Sequence, residues 1–126
     1  MKFASTRLVT ADIERLVKFY TLITGTEVTR LAPVFVEFRL EGATLAISHE
    51  SLMAQNNAGA AIAAANRSAI IEFQVDDVDG VHRRLGDAVD YAMPPASMPW
   101  GNRSMLLRDP DGNVVNIFSR PAGGAR

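Results

Sequence analysis

Ile13, Leu16, Val17, Tyr20 and Ile23 recur at helical spacing, and the chain on either side switches to short runs with period two. The change of period predicts a strand over Phe3 to Thr10 and then a helix. Asp12 is placed to cap its start and Gly25 to end it. Strands follow near Glu27 to Leu31, Val34 to Glu41 and Ala43 to His49, with Gly42 turning the last two. The same order returns later. Ala69 to Asp76 reads as a strand, and Asp77 opens a helix with Val78, Val81 and Leu85 on one stripe and Gly86 at its end. Short strands fit Val89 to Met93, Arg103 to Arg108 and Val114 to Ser119.

Asp12 and Asp77 stand 65 residues apart, and Gly42 and Gly112 stand 70 apart. The chain therefore reads as a duplication of a β-α-β-β-β module. Module one is 1–49, a linker is 50–67, module two is 68–120 and a tail is 121–126, which is expected to fray. The alanines of the linker are compatible with a short helix. A module of about 60 residues buries too little surface to stand alone. The expected fold is a single α+β domain, in which the two modules form a curved mixed sheet around a cleft. Their helices cover the convex face.

The turn in the last hairpin is strongly marked. Asp109-Pro110-Asp111-Gly112-Asn113 combines a fixed proline φ, a glycine for positive φ, and side chains that bond their own backbone. That chemistry accounts for the alternating acids without calcium, since the twelve-residue loop with its final Glu is missing.

Composition narrows the function. Of 126 residues, 48% are apolar, and the net charge is −1, so neither nucleic acid nor an anionic membrane is an expected partner. There are no cysteines, which removes thiolate metal sites and a cysteine nucleophile and fits a reducing compartment. No apolar run approaches the ~20 residues of a membrane span. A soluble, cytoplasmic protein is expected.

Strand alternation sorts side chains between the helix face and the cleft. In the first strand Thr6, Leu8 and Thr10 alternate with Ser5, Arg7 and Val9. In the fifth, Ile71, Phe73 and Val75 are expected under the helix and Ile70, Glu72 and Gln74 in the cleft. In the last, Val114, Asn116 and Phe118 face the cleft.

The paired modules, the Asp12…Phe19-Tyr20…Gly25 helix, Val75-Asp76-Asp77-Val78-Asp79 and Trp100-Gly101…Arg108-Asp109-Pro110-Asp111-Gly112-Asn113 resemble the vicinal oxygen chelate superfamily. This is the glyoxalase, bleomycin-resistance and extradiol-dioxygenase group, and the resemblance covers nearly the whole chain. It implies one divalent metal held by His, Glu or Gln from the first and last strands of each half. By register those positions fall on Ser5 and Ile70, seven residues before each capping Asp. The other two are Ala46 and Asn116, four after each turn glycine. Alanine and isoleucine cannot coordinate, and neutral Ser and Asn oxygens hold transition metals poorly. The expectation is no cofactor and no metal. The resemblance also implies a homodimer.

The remaining polar residues give the candidate ligand contacts: Ser5, Arg7, Ile70, Glu72, Gln74, Arg103 and Asn116, with Phe38, Met105 and Trp100 as apolar or stacking partners. Glu72 is a weak candidate catalytic base if its pocket is apolar; otherwise it pairs with Arg7 or Arg103. Phe35, Tyr91, Met93 and Met98 are further apolar candidates. His49 is expected on the face opposite Ala46, and His82 beside the helix–sheet contact. Met93 to Pro99, with three prolines, reads as a stiff loop at the lip of the cleft.

The favoured reading is a metal-free small-molecule binding protein of the bleomycin-resistance type, taking a planar or aromatic compound. The alternative is a metal-dependent lyase, isomerase or dioxygenase of the same superfamily. A metal-free enzyme using Glu72 as base ranks third.

Overall fold

The computed structural model describes residues 1–121 and divides the chain into two compact units, Met1–Ala65 and Asn66–Arg126. The frayed tail expected at 121–126 lies, from residue 122, outside the described residues.

The first unit runs β1 (Thr6–Thr10), α1 (Ile13–Thr24), β2 (Thr29–Ala32), β3 (Phe35–Leu40), β4 (Ala43–His49) and α2 (Glu50–Asn56). Its strands form one mixed sheet in the order β1-β4-β3-β2, with β1 parallel to β4 and the other pairs antiparallel. The second unit runs β5 (Ile70–Gln74), α3 (Val78–Leu85), β6 (Asp90–Ser97), β7 (Arg103–Arg108) and β8 (Val114–Ser119), in the order β5-β8-β7-β6. Its directions repeat those of the first. The duplication legible in the spacing is therefore a duplication of topology, in an α+β fold.

The helices start and stop where capping chemistry puts them. Asp12 is extended, and its carboxylate accepts from the Arg15 amide at 3.2 Å; Gly25 is left-handed, and its amide donates to the Thr21 carbonyl at 2.9 Å. Asp77 caps α3 through the Gly80 amide at 3.0 Å. Asp12→Ala is expected to lower the stability of the first unit by about 1 kcal/mol, read from urea unfolding.

Ile13, Leu16, Val17, Tyr20 and Ile23 are all buried on α1, as their spacing predicts, and Phe19 joins them. Tyr20 sits edge-on to Phe19 and 6.1 Å, centroid to centroid, from Phe38. Leu8, Val36, Phe38, Leu45 and Ile47 complete the apolar face of this sheet. In the second unit Val78, Leu85, Met105, Leu107, Val115 and Ile117 are buried together.

The β7–β8 turn is organised by one buried carboxylate. Asp109 Oδ1 accepts from the amides of Asp111 and Asn113, both at 2.9 Å, and Oδ2 accepts from the Asn113 side-chain amide at 2.8 Å. Asn113 Oδ1 in turn accepts from Asn66 at 3.1 Å, and Asn66 also bonds the backbone of Ser68 and Ala69. The residues leading into β5 are thus tied to the last hairpin. Gly112 (φ 83°) and its counterpart Gly42 (φ 85°) adopt the same left-handed conformation, which a side chain would disfavour.

Three expectations are corrected. β1 begins at Thr6 rather than Phe3. The run from Met93 does not form a loop: β6 continues through Pro94 and Pro95 to Ser97. It can do so because β6 is the outermost strand, where a missing N–H costs no ladder bond, and its register against β7 shifts around the prolines. The linker does contain a helix, but Glu50–Asn56 form it and the alanines do not. His49 caps α2, its Nδ1 accepting from the Ser51 amide at 3.1 Å. In the alanine-rich stretch beyond, Ala58 and Ala64 both have positive φ, which breaks any helix.

Candidate functional site

Strand register defines the sheet face opposite the helix in each unit. In the second unit Glu72 lies opposite Asn116, Asn116 opposite Leu106, and Leu106 opposite Met93. On one side of this row stand Gln74, Phe118, Ser104 and Ala96; on the other stand Ile70, Val114, Arg108 and Asp90. Ile70, Glu72 and Gln74 are exposed, as their alternation predicts, with Ile70 at 54%. Val115 and Ile117, pointing the other way, are buried.

Asn116 donates its side-chain amide to a Glu72 oxygen at 2.8 Å. Only one acid–base geometry suits a carboxylate here, so the Asn116 NH2 faces Glu72 and its Oδ1 faces away. That Oδ1 is buried and has no hydrogen-bond partner among the described residues.

In the first unit the equivalent face carries Arg7, Ala46 and Glu37 in one row and Val9, Ser48 and Phe35 in the next. Arg7 and Glu72 are equivalent positions, each five residues before a capping aspartate. The Arg7 guanidinium lies 5.7 Å from the Phe35 ring centroid. Its Nη2 donates to Asn57 Oδ1 at 3.1 Å and approaches Met53 Sδ at 3.3 Å. Nothing in the local sequence pattern announced Met53 or Asn57, because α2 alone brings them to β1.

Three candidate contacts point away from these faces. Phe38 is fully buried against Tyr20, and Met105 is fully buried opposite Ile117; both belong to the helix side of their sheets. Arg103 is also on the helix side. It forms a two-pronged ion pair with Asp79 of α3, at 3.1 and 2.9 Å, which holds the Asp79 carboxyl below its ordinary range and raises the Arg103 guanidinium. Ser5 is exposed just before β1. Trp100 is 62% exposed in the turn before β7. His82 stacks edge-on to Tyr91 at 5.1 Å, and His49 is engaged as a helix cap.

A hollow of about 400 Å³ opens beside the start of α1, between Asp12, Glu14, Pro33, Val34, His49 and Ser51. Its ionisable groups are already engaged. Asp12 and His49 are caps, and Glu14 is clamped by Arg30 at 2.8 and 2.9 Å, which lowers its pKa.

The Glyoxalase/Bleomycin resistance protein/Dioxygenase superfamily model matches residues 2–117. The chain belongs to this superfamily. Among solved structures it is similar to a glyoxalase/bleomycin resistance protein/dioxygenase from Nocardioides, at 25% identity and TM-score 0.80, covering 98% of this chain and 86% of that one. A glyoxalase-related enzyme from Fulvimarina pelagi shares the fold at 22% identity and TM-score 0.80, covering 95% and 88%. A superfamily enzyme from Burkholderia phytofirmans does so at 17% identity and TM-score 0.79, covering 94% and 98%. A search of curated proteins finds no match.

The superfamily implies a divalent metal, and the residues at the expected ligand positions do not fit one. Ser5 is a neutral hydroxyl outside the strand, Ala46 and Ile70 have no donor atom, and Asn116 has turned its amide to Glu72. Among the described residues no group of three or more His, Cys, Asp or Glu is placed to hold a metal ion.

Proposed function

We propose that this superfamily member is a metal-free binding protein for a planar or aromatic small molecule, held on the sheet face that carries Glu72, Gln74 and Asn116. The carrying observation is the Asn116–Glu72 hydrogen bond. It occupies the last-strand ligand position with an amide and engages the neighbouring carboxylate, so no second anionic or imidazole ligand accompanies Glu72. Metal chemistry needs about three converging donors of that kind. A binding function needs only apolar area and a few fixed polar groups. Leu106, Val114 and Met93 supply the first in the second unit; Glu72, Gln74 and Asn116 supply the second.

Two measurements test this. Elemental analysis of protein purified without chelator is expected to find well under one equivalent of divalent metal per chain. A screen of planar compounds is expected to yield ligands that raise the Tm, with some quenching the single tryptophan, Trp100. One equivalent of metal that disappears in Glu72→Ala overturns the reading in favour of a metal-dependent enzyme.

A further inference from the structure

Two capping side chains flank the hollow beside α1, and each spends only one end on its helix. His49 Nδ1 accepts from the Ser51 amide at 3.1 Å and meets the Ser51 hydroxyl at 2.8 Å. A backbone N–H can only donate, so the capping tautomer carries its ring proton on Nε2. That Nε2–H has no acceptor among the described residues, and it is not one of the buried atoms left without a partner. It is therefore an accessible donor. Asp12 caps α1 through Oδ1 alone, and its Oδ2 has no hydrogen-bond partner among the described residues. Asp12 is exposed, so this oxygen is an accessible acceptor.

The sheet brings the two together. β1 and β4 are parallel, with Thr10 opposite His49, so both strands end on the same side of the sheet. Thr10, fully buried, bonds the backbone of Asp12 through its hydroxyl, accepting from the amide at 3.1 Å and donating to the carbonyl at 3.3 Å. The His49 amide donates to the Val34 carbonyl at 2.9 Å, which ties it to the far wall of the hollow. The volume of about 400 Å³ falls in the range of small-ligand sites, and Pro33 and Val34 supply apolar wall.

What the hollow offers selects its ligand. Both Glu14 oxygens are taken by Arg30, which balances that charge. One N–H donor and one carboxylate oxygen remain. An anion meets repulsion from Asp12. A cation suits Asp12 but leaves the His49 N–H without an acceptor. A neutral amide pairs with both, its carbonyl accepting from His49 and its N–H donating to Asp12.

We infer that this hollow is a small-molecule site for a neutral ligand with a carboxamide or lactam edge on a small apolar body. It lies in the first unit, and its chemistry is independent of the Glu72 face in the second. The two contacting groups are already held by their helices, so binding orders little that is not ordered beforehand.

The test uses four probes of similar size: benzamide, acetophenone, benzoate and benzylamine. Acetophenone has the shape of benzamide and keeps the carbonyl but has no N–H to donate. Binding is followed by calorimetry and by the His49 ring signals in nitrogen-15 spectra of the whole chain. Benzamide is expected to bind at least about tenfold tighter than the other three and to move the His49 signals. His49→Asn and Asp12→Asn both keep a good helix cap, so unchanged unfolding curves are expected. His49→Asn removes the Nε2 donor and is expected to lose about tenfold for benzamide. Asp12→Asn replaces the open oxygen with an N–H and removes the negative charge, so it should shift preference from benzamide towards benzoate.

Equal binding of acetophenone, or benzamide binding that leaves the His49 signals unmoved and survives His49→Asn, overturns the inference. Failure of benzamide to bind the parent protein at millimolar concentration also overturns it. None of these results bears on the Glu72 face, which the metal analysis decides separately.

Discussion

Asp109→Ala is expected to destabilise the second unit by about 3–5 kcal/mol, because three charge-assisted hydrogen bonds disappear from a buried turn. The carboxylate accepts two backbone amides and the Asn113 side chain, and Asp109 and Asn113 are both buried. Removing it leaves those donors without an acceptor, which is worse than never having built the network. The loss also propagates, since Asn113 bonds Asn66 at the lead into β5. Asp109→Asn keeps one oxygen and should lose less, but its amide nitrogen would face the Asn113 amide nitrogen. Urea unfolding measures both. A loss under about 1 kcal/mol for Asp109→Ala would show that the turn holds its shape by backbone preference alone.

Phe38→Ala is expected to cost the first unit about 3–5 kcal/mol, the range for emptying an aromatic site in a packed core. Phe38 is wholly buried and meets the Tyr20 ring from β3, so neighbouring side chains have little room to close the gap. Chemical denaturation gives the magnitude. The same variant should leave the Arg7 face intact in any sample that remains folded, because Phe38 points to the opposite side of the sheet.

That orientation shows where the sequence was readable. The α1 stripe, both aspartate caps, the glycine turns and the β4, β7 and β8 boundaries followed from local chemistry. Each depends on residues within a few positions of one another. Face assignment also worked for β5 and β8, where apolar and polar residues alternate cleanly. It failed for Phe38 and Met105. Phe35, Val36 and Phe38 crowd β3 with large apolar groups on both faces, so composition does not say which side is buried. Arg103 was misplaced because its partner, Asp79, lies on a helix 24 residues away. The clamp on Arg7 was hidden for a similar reason: Met53 and Asn57 reach it only through α2, whose start depends on a histidine acting as a cap. The prolines of β6 read as a loop because their tolerance depends on the strand being outermost, a property of topology.

Arg7 and Glu72 began as the same position in two copies of one module. One is now a cation and the other an anion, yet turn glycines, caps and strand order remain matched between the copies. The determinants of shape lie in the turns and under the helices, and those of chemistry lie on the opposite faces. Mutational drift in one set need not disturb the other. The two copies have therefore diverged in charge at one position while keeping one scaffold, and exchanging the residues, as Arg7→Glu with Glu72→Arg, is expected to leave that scaffold unchanged.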